Sequence, residues 1–304
     1  MADPMEWFVN RLKQLQGFQK MTRGETDKCI MAIRAPAEMG KSWLIQRMRQ
    51  ECGAANLPTL YIDFRDRCPY DCLTIVRTAR DQMGAAAYNA LTQTINDLTG
   101  VNIQLSTSGA PAGAPRFAGG AQVNIGGPQA NLAGAQVTVS DVDVAGGDII
   151  KDNYFYVQAD SGTARRAVEI RITDVFFACL AALATPDKKC VFLLDSYENV
   201  TEEADRWLRD NLLTRLRDKQ LANVIAIIAG RTTPDFGDEW KARLASTGLD
   251  PFTQDDVTDY LTNKRKVTSL DVATVFKTCG GRPGLLSQMV ELATMGTEKA
   301  EDWL

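Results

Sequence analysis

Residues 29–50, CIMAIRAPAEMGKSWLIQRMRQ, constrain the fold more than any other part of the chain. An apolar run (Ile30, Met31, Ile33) meets a turn containing Pro36, then Gly40-Lys41-Ser42, then apolar residues at helical spacing, Leu44, Ile45 and Met48. That order predicts strand, loop and helix. In such a loop the backbone N–H groups and the helix N-terminus face an anion, the lysine ammonium reaches β- and γ-phosphates, and the next hydroxyl ligates Mg²⁺. Lys41 and Ser42 stand where those two roles fall. The candidate cradle is therefore Ala35, Pro36, Ala37, Glu38, Met39, Gly40, Lys41 and Ser42, with Trp43 opening the helix. Ala35 replaces the glycine usual at the first position of the pattern. With Glu38 it weakens the loop, so binding is a safer expectation than turnover.

Downstream segments supply the acids such a loop needs. Residues 190–194 form a continuous apolar run, the mark of a strand buried on both faces of a parallel sheet, and the run ends in Asp195. A carboxylate there holds Mg²⁺ through the Ser42 side. Glu198, three residues on, can orient or deprotonate an attacking water, or else be a helix-start carboxylate. A second buried strand at 223–229 ends at Gly230-Arg231, placing an arginine at the sheet's carboxyl edge. Residues 57–64 (LPTLYIDF) are a further strand, followed by the charged group Asp63, Arg65, Asp66 and Arg67. Helical patterns cover 70–84, 85–98, 161–184 and 202–219. Residues 5–20 place Trp7, Phe8, Leu12, Leu15 and Phe18 on one stripe and predict a helix packed on the core.

Composition narrows the function. The 304 residues, 45% hydrophobic, suffice for a sizeable core in one larger α/β domain with an appendage, or in two domains. A net charge of −4, from 38 acidic and 34 basic residues without a basic run, argues against nucleic acid as the main partner. The sequence contains no histidine, which excludes Ser-His-Asp triads and His-ligated zinc. Seven cysteines without paired metal spacing suggest reduced thiols of a cytoplasmic protein. No secretory signal is read at the N-terminus, and the longest apolar run, 175–184, is too short to span a bilayer.

Residues 100–158 differ from the rest. They are glycine-rich, with no charged residue between Arg116 and Asp141, and GAQVNIGG at 120–127 is echoed by GAQVTVSD at 134–141. Alternation across 121–157 predicts short strands between glycine turns, whereas 106–119 fits a linker. Such strands, poor in charge, have edges that recruit other strands. The expected organisation is a first nucleotide-domain part (1–99), a β insertion (100–158), a second part (159–250) and a helical lid (251–304).

Several of these pieces occur together in one order: Phe8-Val9-Asn10-Arg11, the loop 35–42, LLDSYE at 193–198, AGR at 229–231, PFTQDDVTDYL at 251–261 and GGRPGLL at 280–286. Over residues 5–98 and 160–296 the chain resembles the STAND class of signalling ATPases, a branch close to the AAA+ ATPases. The resemblance implies a phosphate-loop fold with a parallel sheet flanked by helices, strands near 29–34, 58–63, 190–195, 223–229 and 244–249, and a lid from 252 to 296. It implies that Phe8, Val9 and Arg11 lie near an adenine, that Asp195 and Glu198 are the acidic pair, that Arg231 is the sensor arginine, and that Pro283 touches the nucleotide. The family continues past the lid into a winged-helix domain and sensor repeats, while these residues end soon after it, so the expected unit is a switch core. The implied cofactors are ATP or ADP with Mg²⁺. The implied behaviour is a switch that changes assembly state, as a homo-oligomer with a protein partner. An oligomeric motor acting on a client and a nucleotide-stabilised scaffold polymerising through the insertion remain open.

Overall fold

The computed structural model describes residues 4–66, 70–99, 135–138, 156–159 and 162–301. In chain order these form α1 (Leu12–Arg23), β1 (Ile30–Arg34), α2 (Lys41–Ala54), β2 (Thr59–Asp63), α3 (Cys72–Met83), α4 (Asn89–Thr99), β3 (Ala135–Thr138) and β4 (Tyr156–Ala159). There follow α5 (Gly162–Leu183), β5 (Cys190–Asp195), α6 (Glu202–Trp207), α7 (Thr214–Arg217), β6 (Val224–Gly230), β7 (Leu244–Gly248), α8 (Gln254–Thr258), α9 (Val272–Cys279) and α10 (Pro283–Glu301). The chain divides into two compact units, residues 1–85 with 180–304, and residues 86–179.

The first unit is built on a five-stranded, all-parallel sheet in the order β2-β5-β6-β1-β7. Each expected strand is found, with ends within one residue of those read from the sequence. The burial pattern follows position in the sheet. Every residue of β5 and β6 is buried, as strands with a neighbour on each side and both faces covered require. The edge strands β2 and β7 are only partly buried. One face carries the main core: Leu15 and Phe18 of α1 and Leu44, Ile45 and Met48 of α2 pack on Met31, Ile33, Val191, Leu193, Ile225 and Ile227. The intervening Phe192, Leu194, Ala226 and Ile228 are equally buried. Burying one such aliphatic side chain contributes about 1.5–3 kcal/mol. That the central strands carry no polar residue until their carboxyl ends is why the polar chemistry collects there.

The lid has its own core, in which Val9 joins Phe252, Val257, Leu261, Val275, Leu286 and Val290. Its first helix begins in a capping box: the Thr253 hydroxyl accepts from the Asp256 N–H and the Asp256 carboxylate accepts from the Thr253 N–H. The helical path then continues as a π-helical turn over Asp259–Lys264.

The helix expected over 5–20 begins only at Leu12. Asn10 and Arg11 both have positive φ, 62° and 70°, so the helical path breaks before it. The break is held by side chains, the Asn10 amide donating to Asp256 and the Arg11 guanidinium to the carbonyls of Asp250 and Met39. Trp7 lies in a short 3-10 turn, Pro4–Trp7, and Leu12 is 66% exposed rather than packed on the core.

In the second unit, the Tyr88 ring stacks on Phe176 at 5.8 Å, with Phe177 edge-on to Phe176 at 5.1 Å. β3 and β4 pair antiparallel, Ala135 opposite Ala159 and Thr138 opposite Tyr156. The strands expected at 120–127 and across most of 139–155 lie outside the described residues. Among the described residues, no helix is long and apolar enough to cross a membrane.

Candidate functional site

The loop from Ala35 to Ser42 connects the carboxyl end of β1 to the N-terminus of α2. Its shape explains why alanine serves at the first position. Ala35 is buried, its N–H donates to the Gly230 carbonyl at 3.2 Å, and the positive φ values of the loop fall instead at Glu38 (64°) and Gly40 (82°). No left-handed residue is required at 35. The strain at Glu38, a residue with a Cβ, is borne by contacts from outside the loop. The Gly284 N–H, in the first turn of α10, donates to the Glu38 carbonyl at 2.9 Å, and the Arg11 guanidinium donates to the Met39 carbonyl at 2.9 Å. A Cβ on Gly284 would lie 2.8 Å from the Glu38 Cβ, so only glycine lets the lid helix approach this closely. Pro283 packs where a side chain on Gly40 would touch it at 3.7 Å.

These elements border an open cleft lined by Trp7, Phe8, Val9, Arg11, Gly40, Trp43, Phe252, Tyr260, Pro283 and Ser287. Phe8, Val9, Arg11, Trp43 and Pro283, singled out in the sequence, thus converge on one space. Its walls are largely aromatic, from Trp7, Phe8, Trp43, Phe252 and Tyr260, with Arg11 as the charged group among them. Arg265 lies 3.9 Å over the Trp7 ring, and Arg11 lies 5.0 Å over the Phe252 ring while its Nη1 donates to the Asp250 carbonyl at 2.6 Å. Arg11 is 6% exposed, and burial lowers its pKa, with Asp256 and Asp250 opposing. Its guanidinium is engaged by the loop and by the chain entering the lid, so it fastens the cleft's wall as much as it lines it.

Along the carboxyl edge of the sheet the charged residues meet the loop. The Lys41 ammonium donates to the carbonyls of Ala35 at 2.8 Å and Pro36 at 2.7 Å. Burial lowers its pKa, and the fields of Glu198 and Asp195 oppose that shift. Asp195 is fully buried. Its Oδ1 accepts from the Ser196 N–H at 2.7 Å, whereas Oδ2 has no hydrogen-bond partner although the Ser42 side chain lies close enough to favour the charged form. Burial outweighs these and pushes the Asp195 pKa up. The strand that ends in Asp195 is not next to the loop strand, because β6 intervenes between β1 and β5. The carboxylate still meets Ser42 because α2 crosses over β6 and packs against β5.

Glu198 and Arg231 face each other. The Glu198 carboxylate accepts from the Arg231 backbone N–H and from its Nε, both at 2.8 Å. Burial would raise the Glu198 pKa, but these bonds prevail and hold it low. Glu198 sits in a 3-10 turn, Tyr197–Asn199, entered through Ser196 with φ 56°. The turn is fixed by Tyr197, whose hydroxyl donates to Asp205 at 2.7 Å and whose ring meets Phe64 edge-on at 5.7 Å.

The residues present fit a divalent cation in one respect, the buried and unpartnered Asp195 Oδ2 beside Ser42. Among the described residues no three cysteine or acidic side chains cluster to hold an ion unaided, so a cation here depends on ligand oxygens and water.

Trp7, Phe252, Tyr260 and Ser287 were not singled out in the sequence. Phe252 and Tyr260 lie within the PFTQDDVTDYL segment, which was their only signal. Trp7 was assigned to a helical stripe because its apolar neighbours happen to be spaced like one.

No family model matches the chain, and no curated protein does. Among the solved structures that resemble it are two of low sequence identity. One is a Signal Transduction ATPase with Numerous Domains with a tetratricopeptide repeat sensor from Pyrococcus horikoshii, 12% identical, TM-score 0.43, covering 93% of this chain and 30% of that one. The other is Cdc6p from Pyrobaculum aerophilum, 11% identical, TM-score 0.42, covering 87% and 54% respectively. The chain therefore spans less than two thirds of the length of either.

Proposed function

We propose that the chain binds ATP or ADP with Mg²⁺ and acts as a slow switch, its nucleotide state setting self-assembly and the engagement of a protein partner. The observation that carries this reading is the cross-bonding of three separate elements around one cleft. Gly284 of the lid holds Glu38, Pro283 covers Gly40, and Arg11 ties Met39 to Asp250. A base and ribose in the cleft would touch the N-terminal segment, the loop and the lid together, so a change of ligand is felt by all three. Phosphates would meet the loop N–H groups and Lys41. Ser42 and Asp195 would hold Mg²⁺, which supplies charge neutralisation between the phosphate oxygens.

The same geometry favours low turnover. Glu198 is the residue placed to activate water, but its carboxylate is spent on Arg231 and its pKa is held low, which makes it a poor proton acceptor. A γ-phosphate is the kind of anion that draws Arg231 away and frees it. Glu198→Gln is therefore expected to bind ATP within a few-fold of the parent while single-turnover hydrolysis falls about 10²- to 10⁴-fold, the usual contribution of a general base. Equal hydrolysis in both proteins would move that role to another residue.

Assembly is assigned to the insertion, whose alternating polar and apolar sequence carries few edge-blocking charges and whose β3–β4 pair is a two-stranded sheet, an arrangement marginal by itself. The deciding experiment identifies the nucleotide released on denaturing the purified protein, then measures mass by light scattering with ADP and with a non-hydrolysable ATP analogue. Bound adenine nucleotide and a larger mass with one of the two are expected. Identical masses remove the switch, and fast client-stimulated hydrolysis replaces it with a motor.

A further inference from the structure

Next to Asp195, at the partner position of the adjacent parallel strand, stands another carboxylate, Asp63. Partner residues of neighbouring strands project to the same side of a sheet, with the strands about 4.8 Å apart. Asp63 is 9% exposed and Asp195 not at all, so two buried acids lie side by side at the carboxyl edge. Asp63 is held firmly. Arg65 binds it through Nε at 3.1 Å and Nη2 at 2.6 Å, the Arg65 backbone N–H donates to Oδ1 at 3.0 Å, and the Ser196 side chain lies within hydrogen-bonding reach. Ser196 thereby links the two acids, since its N–H serves Asp195.

The arrangement is short of positive charge. Arg65 balances one of the two carboxylates, Lys41 has turned two of its donors to backbone carbonyls, and the buried Asp195 Oδ2 has no partner. A buried carboxylate oxygen without a donor is costly unless a cation or water completes it. We propose that Asp63 is a positioning residue of the metal site, orienting a water of the Mg²⁺ shell beside Asp195 and so raising the affinity for the cation. The inference rests on the nucleotide reading above. The competing explanation is that Asp63 serves only to anchor Arg65, and the two make opposite statements about Arg65.

The test measures Mn²⁺ binding by electron paramagnetic resonance in the presence of ADP, for the parent, Asp63→Asn and Arg65→Met. ADP affinity in EDTA and far-ultraviolet circular dichroism report the fold of each. Asp63→Asn should bind Mn²⁺ about tenfold more weakly, the lower end of the loss seen when outer-shell partners are removed, with ADP affinity in EDTA unchanged. Arg65→Met keeps the Asp63 charge and should hold Mn²⁺ within twofold of the parent. Parent-like Mn²⁺ affinity in Asp63→Asn overturns the proposal, and so does an Arg65→Met protein that loses as much as Asp63→Asn. If Asp63→Asn does not fold, Arg65→Met decides alone: Mn²⁺ bound about tenfold more weakly than by the parent overturns the proposal. A parent that binds no ADP, with or without Mn²⁺, overturns the nucleotide reading and this inference with it. A parent that binds Mn²⁺ and ADP beside an unaffected Asp63→Asn overturns the inference only.

Discussion

Lys41→Ala is expected to weaken ATP and ADP binding about 100-fold or more while the fold survives. Lys41 is 9% exposed, and its ammonium stands over the loop on the carbonyls of Ala35 and Pro36. Charge-assisted hydrogen bonds are worth about 1.5–3 kcal/mol each. Two of them to phosphate oxygens therefore supply at least about 3 kcal/mol, and every 1.4 kcal/mol is tenfold in affinity. The fold has less to lose. Pro36 is at the surface, so water replaces the ammonium on its carbonyl, and Ala35 keeps its N–H bond to Gly230. Trp43 lines the cleft and is 36% exposed, which makes its fluorescence a direct readout of a nucleotide titration. A dissociation constant equal to the parent's would remove Lys41, and the phosphate assignment of the loop, from the account.

Asp195→Asn should act in opposite directions on stability and on metal dependence. The carboxylate is fully buried, Oδ2 lacks a partner and burial raises its pKa, so without a cation the native state carries an unfavourable charge. Replacing it with a neutral isostere removes the buried charge and its repulsion with Asp63, and should stabilise the protein in EDTA by about 1–3 kcal/mol. For a chain of this size that is a rise in Tm of roughly 2–4 °C per kcal/mol. In the same variant, the gain in nucleotide affinity that Mg²⁺ gives the parent should disappear. A variant that keeps the parent's Mg²⁺ dependence would show that Asp195 holds no metal. One that melts well below the parent in EDTA would show that the carboxylate is needed for the fold itself.

Four strands of the main sheet and the loop were legible because each is encoded locally, whereas β7, a half-exposed LASTG, was expected only from the family resemblance. A run such as 190–194, short, apolar without interruption and ending in an acid, fits a strand covered on both faces, and Gly40-Lys41-Ser42 between such a strand and a helix is a local pattern as well. The helix start failed for the same reason turned round. Trp7, Phe8 and Leu12 are spaced like one helical face, and nothing local reveals that Asn10 and Arg11 turn left-handed. That conformation is held by Asp256, Asp250 and Met39, all remote in sequence.

By itself the sequence determined the class of the sheet, the place of the loop, and the acids and arginine at the ends of β5 and β6, since hydrophobic period and strand-end chemistry are properties of neighbouring residues. Only the tertiary structure decided that β6 separates β1 from β5, that Glu198 is bound by Arg231, that Asp63 stands beside Asp195, and that Trp7, Phe252, Tyr260 and Ser287 complete the cleft. Strand order and cleft composition depend on which distant segments meet. That is settled by how whole faces pack and by single hydrogen bonds such as Gly284 to Glu38, neither of which leaves a periodic trace along the chain.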